Sequence, residues 1–157
     1  MFTKLPVRTI LMGLAVASLM PAALFAQTPQ PKKEAELIAS GNKALTGPEI
    51  NALLLGNTIY VTFLVQVGRA TPGTQTRAYY RDAKTRVMAP GAGHSEFKKY
   101  EANWWIEGDH VCHETQIATQ GHSCMSLYKA SPVVYGCGEN GVCHLMIRVV
   151  PGNPDKL

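Results

Sequence analysis

Residues 133–150 read VVYGCGENGVCHLMIRVV, and this stretch decides the fold. Two runs rich in β-branched and aromatic residues flank a turn of glycine, glutamate and asparagine, the pattern of two antiparallel strands joined tightly. A three-residue loop, Glu139-Asn140-Gly141, puts a glycine where a bulged hairpin turn needs a left-handed residue. That register sets Cys137 directly opposite Cys143. Facing strand residues lie about 4.5–5.5 Å apart, within reach of a disulfide. The hairpin is therefore expected to be bridged.

The chain holds four cysteines, all in its last third: Cys112, Cys124, Cys137 and Cys143. A hairpin bridge leaves Cys112 and Cys124 for each other, one of three connectivities that four cysteines allow. In the chain-entropy model the shorter loop contributes roughly 2.4 kcal/mol and the longer roughly 3. Both are large against a typical total of about 5–15 kcal/mol.

The opposite end says where such bonds form. Residues 1–26 read MFTKLPVRTILMGLAVASLMPAALFA. Lys4 and Arg8 give a basic start, Ile10–Leu19 an apolar stretch, and Pro21 a break before Ala22, Ala23 and Ala26. This is the pattern of a secretory signal peptide with cleavage after Ala26. The apolar stretch is short against the ~20 residues of a membrane span, and no other long apolar run follows. A periplasmic or secreted protein is expected, with no transmembrane segment in its mature part. Exported chains meet an oxidising space, where an even set of thiols closes into disulfides.

Outward from the hairpin, the strand pattern extends back to residue 58. Thr58–Val67, Arg77–Arg81, Arg86–Ala89, Ser95–Asn103, Trp104–Glu107, His110–His113 and Cys124–Lys129 are extended by composition, with turn residues between them. Ahead of them, Leu45–Asn57 carries a helix signature. Thr46 and Glu49 stand at capping-box spacing, Pro48 lies in the first turn, and Ile50, Leu53 and Leu54 share a face. Glu34–Ser40 is a second short helix candidate. Gln27–Lys33 is polar and proline-bearing, as a loose leader is. The expected organisation is a signal peptide over 1–26, a partly disordered polar leader over 27–44 and one disulfide-stapled domain over 45–157. The expected fold is mainly β, an antiparallel meander forming a small curled sheet or barrel, with one or two short N-terminal helices; a two-layer sandwich is the alternative. Closure is favoured because it removes exposed edges.

Charge narrows the partners. The full chain of 157 residues has a formal charge of +4, and the signal-like segment holds two of its 15 basic residues and no acidic one. A mature charge of +2 with scattered basic residues gives no footprint for nucleic acid. The sequence implies no cofactor. Cys112-His113, His122 and Cys143-His144 suggest zinc or haem at first sight, yet their spacing misses the knuckle and Cys-x-x-Cys-His templates. No glycine-flanked serine, zinc-binding helix or phosphate loop is present. A hydrolase reading would have to draw on His94, His122 and Glu114 from loops. The aromatic pairs Tyr79-Tyr80 and Trp104-Trp105 each place one ring inward and one outward on a strand. Tyr80, Trp104 and Trp105 are therefore the candidate binding residues, for an unknown small ligand or protein.

The order LTGPEI (45–50), Gly56-Asn57-Thr58, WIEGDHVC (105–112), Cys124 and VPGNP (150–154) resembles small exported proteobacterial proteins of domain-of-unknown-function family 995. The resemblance implies export and a small β-rich fold, with no activity attached. The expected function is a non-catalytic ligand- or protein-binding module; the alternatives are the loop-borne hydrolase and a Cys/His metal or haem protein.

Overall fold

A computed structural model describes residues 30–90, 99–114 and 121–157. The signal-like segment, His94 and the start of the Ser95–Asn103 run lie outside these residues. The strands are β1 (Lys32–Lys33), β2 (Asn57–Phe63), β3 (Gln75–Tyr80), β4 (Thr85–Pro90), β5 (Tyr100–Glu107), β6 (His110–Glu114), β7 (His122–Ala130), β8 (Val133–Cys137) and β9 (Val142–Pro151). Two helices precede the main run, α1 (Glu34–Ala39) and α2 (Gly47–Leu54).

Strands β2 to β9 pair in sequence order, each antiparallel to the next, and β9 returns to β2. The meander is thus a closed eight-stranded barrel, and the expectation of a curled sheet or barrel holds in its closed form. The seam runs from Asn57↔Pro151 to Phe63↔Leu145. With side chains alternating along every strand, closure divides them into an inner and an outer set. Ile59, Val61, Ala78, Tyr80, Trp104, Val111, Leu127, Val134 and Ile147 make the inner core.

One end of the barrel is plugged. Ile50 and Leu54 of α2 are fully buried in the inner core. Burial of each contributes roughly 1.5–3 kcal/mol, which an eight-residue helix needs because it is too short to stand alone. At its start, the Thr46 backbone N–H and hydroxyl both donate to the Glu49 carboxylate, at 2.8 and 2.9 Å. These bonds hold the Glu49 carboxyl below its usual range. The helix is then fixed to the β5–β6 turn, where the Gly47 N–H donates to Asp109 Oδ1 at 2.8 Å. Gly47 lies so close to that turn that a Cβ there would stand 2.5 Å from the Gly108 carbonyl oxygen. The glycine serves close approach rather than chain reversal.

A second, outer cluster lies over β7–β9. Leu37 of α1 packs with Leu64, Tyr128, Tyr135 and the Cys137–Cys143 disulfide. The Tyr128 hydroxyl donates to Glu34. Burial, with that bond to Glu34, pushes the phenol up to about 12. Lys32 lies over the Tyr135 ring, and β1 adds to β9 beside Cys143. Lys32, Lys33, Glu34 and Leu37 of the polar leader are thus tied to the barrel wall. The second disulfide joins Cys112 to Cys124, which face each other across β6 and β7. Both bonds join neighbouring strands in register, in the pairing the hairpin geometry suggested. Among the described residues no helix is long and apolar enough to cross a membrane.

Gly47→Ala tests the plug. Alanine favours helix by propensity, but its methyl must displace a backbone carbonyl. Urea unfolding is expected to show a loss of about 1–3 kcal/mol, the usual cost of overpacking; a gain would mean that α2 does not sit on the turn.

Candidate functional site

The barrel interior is not filled. Above the α2 plug lies a chamber of ≈300 Å³, at the small end of the roughly 300–1,000 Å³ range of ligand pockets. Its walls come from alternate residues of successive strands. Val61 and Phe63 of β2, Ala78 and Tyr80 of β3, Met88 of β4, Met125 and Leu127 of β7 and Leu145 and Ile147 of β9 give an apolar lining. Glycine at position 136 lets Met125 pack close against β8, since a Cβ there would stand 2.8 Å from Met125 Sδ.

Polar residues interrupt this lining: Thr76, Arg86, His113, Glu114, Ser123 and His144, besides Tyr80 and Tyr100. Arg86 shares the inward phase of Met88 on β4 and stands opposite Tyr80 on β3 and Ala102 on β5. Only 6 % of it is exposed. Its Nη2 donates to the Glu114 carbonyl at 3.3 Å, and its buried Nε has no partner among the described residues. No carboxylate among the described residues pairs with it. A guanidinium does not lose its proton in a protein, so the charge stays.

His113 faces inward from β6, across from Ser123 on β7. Burial, with the Arg86 charge adding to it, drives its pKa down to about 3. The imidazole is therefore neutral through the physiological range. His144 owes its place to an irregularity in the hairpin. Gly136 opposes Leu145 and Cys137 opposes Cys143, which leaves His144 as the extra residue of a bulge. Bulges re-aim side chains, and His144 borders both the chamber and an outer cleft that it shares with Ser123 and Met125. Partial burial lowers its pKa as well.

The three aromatic candidates are separated. Tyr80 lines the chamber. Trp104 is buried beside it, ring edge to ring face at 4.8 Å, with its indole N–H donating to the Asp82 carbonyl at 2.8 Å. It supports the chamber without lining it. Trp105 is on the outer wall, 5.7 Å from the His122 ring. Of the hydrolase candidates, His122 and Glu114 face each other across β6 and β7 but turn to other partners. Glu114 accepts from the Asn103 side chain at 2.9 Å, and His122 lies against Trp105. His94 lies outside the described residues. Glu107 sits beside Cys112 and Cys124, but those sulfurs are bonded to each other and offer no thiolate to a metal.

No protein-family model, curated protein or solved structure matches the chain.

The His113 environment predicts acid sensitivity. Its folded pKa lies below the unfolded value of 6.5. As pH falls below 6.5 the unfolded chain binds a proton that the folded one refuses, so stability is lost down to about pH 3. Between pH 7 and 4 the loss is on the order of 3 kcal/mol. Chemical denaturation at both pH values is expected to show a distinctly smaller drop for His113→Gln than for the natural chain. Equal drops would place the imidazole in water.

Proposed function

We propose that this protein is an exported, non-catalytic binding barrel that holds one small, largely apolar ligand in its interior. The observation that carries the reading is the chamber itself. Protein interiors pack at crystal-like density with few voids, and an unfilled apolar space costs stability in proportion to its volume. A barrel of this size has side chains enough to fill its own core. Alanine at 78 and unbranched methionines at 88 and 125 leave it open instead. The volume equals about ten water molecules at ~30 Å³ each, and a methylene occupies similar space. A ligand of about ten non-hydrogen atoms fits.

The N-terminal segment and the two disulfides support an extracytoplasmic setting, periplasmic or secreted. Kinship with family 995 belongs to the same proposal and adds no activity to it. The reading is non-catalytic because Arg86 is a fixed cation and His113 a weakly basic imidazole, and among the described residues no hydrogen bond joins Ser123 to a base.

A neutral naphthalene fluorophore titrated into the disulfide-bonded mature protein is expected to bind saturably, one per barrel. Met88→Trp, which fills the chamber from β4, is expected to abolish that binding while the circular dichroism of the barrel persists. Saturable binding that survives Met88→Trp would put the ligand elsewhere, and no binding at all would remove the reading. For the setting, intact-mass measurement of exported material is expected to give a chain starting at Gln27, lighter by the hydrogens that two disulfides remove. A retained N-terminus with free thiols would contradict it.

A further inference from the structure

We propose that the ligand carries a single negative charge, in the form of a carboxylate, and that Arg86 receives it inside the chamber while the apolar tail lies along Val61, Leu127 and Ile147. The inference rests on the chamber being a ligand site and adds the chemistry of its head group.

The argument starts from cost. Moving a charge out of water is expensive unless it is paired and hydrogen-bonded. Arg86 is 6 % exposed, and among the described residues it has one long bond to the Glu114 backbone carbonyl and no ion pair, the Glu114 carboxylate being held by Asn103 instead. An apolar residue of similar volume at such a position is often neutral or stabilising for the fold. The fold thus has little use for a cation here. A ligand does: in a low-dielectric chamber an anion is attracted far more strongly than at a wet surface.

The donor geometry selects the anion. A guanidinium is a planar fork that matches a carboxylate with two parallel N–H···O bonds. Arg86 lines the chamber, and its guanidinium makes a single long bond among the described residues. His113 lines the same chamber and is neutral, so it offers one N–H and no second charge. One fixed cation suits a monoanion; a doubly charged phosphate would leave a net charge buried. Thr76, Glu114, Ser123 and His144 also border the chamber, and the stretch formed by Val61, Leu127, Leu145 and Ile147 is apolar and takes the tail.

The test compares three probes of equal chain length, octanoate, octan-1-ol and octylammonium, by calorimetry on the disulfide-bonded mature protein. Octanoate is expected to bind roughly tenfold or more tighter than the alcohol, the usual gain from a hydrogen bond to a charged group, and octylammonium weakest. In Arg86→Met the preference for the acid is expected to vanish while alcohol binding stays, with the thermal midpoint equal to or above that of the natural chain. Arg86→Lys, which keeps the charge but not the fork, is expected to retain part of the preference. It serves as the second variant if the methionine form does not fold. Equal binding of acid and alcohol by the natural chain would overturn the head-group assignment and leave the ligand-binding reading in place. So would an acid preference that survives Arg86→Met. Failure of all three probes together with the naphthalene fluorophore would remove both.

Discussion

Everything in this molecule follows from the pairing of β2 with β9. Seven opposed residue pairs, from Asn57↔Pro151 to Phe63↔Leu145, join the first and last strands of the meander. Without that seam the eight strands are an open sheet with two edges and no interior. With it, the alternation of side chains becomes a division between chamber and wall. A slip of β9 by one residue against β2 would send Ile147 outward and Arg148 inward. Thr58 helps fix the register. It is buried, and its hydroxyl donates to the Gly152 carbonyl at 2.7 Å, just beyond the end of the seam.

The stabilising devices sit outside the chamber, and this explains how the interior stays open. Both disulfides join adjacent strands through outward-facing positions. One of them is covered by α1 with Tyr128 and Tyr135. The α2 plug closes one end with Ile50 and Leu54. Cross-links that restrict the unfolded chain compensate for apolar volume left unfilled. A buried cation and a buried neutral imidazole can then be tolerated on the inner surface. They are the parts of the interior that local fold logic does not require, and functional sites are where such departures are expected.

Much of the architecture was legible in the residues, because strands announce themselves by composition and turns by glycine. The Glu139-Asn140-Gly141 turn, the capping box of Thr46 and Glu49, and the run of short strands each rest on local chemistry. Gly141 does adopt the left-handed conformation, with φ 69°. Closure itself was legible only as a preference, since the β2–β9 contact spans some ninety residues. The site was less legible. Aromatic pairs drew attention to Tyr80, Trp104 and Trp105, but only the register separates a ring in the chamber from one beneath it and one on the wall. Arg86 went unremarked in the sequence, although it is in phase with Met88 on one strand, as His113 is with Val111 on another. A charge in phase with inward apolar residues is the signal that was available. It gains meaning only once the strand is known to face a cavity and not water.

The central claim is that this barrel encloses an apolar chamber that a ligand enters, and the most direct measurement is intermolecular NMR contact. With methyl-labelled mature protein and a saturating octyl-chain ligand, cross-relaxation is expected between the ligand tail and the methyl groups of Val61, Leu127 and Ile147. None is expected to Ile38 on the exposed face of α1. Contacts confined to outer-wall methyls, with the interior signals unchanged, would contradict the account.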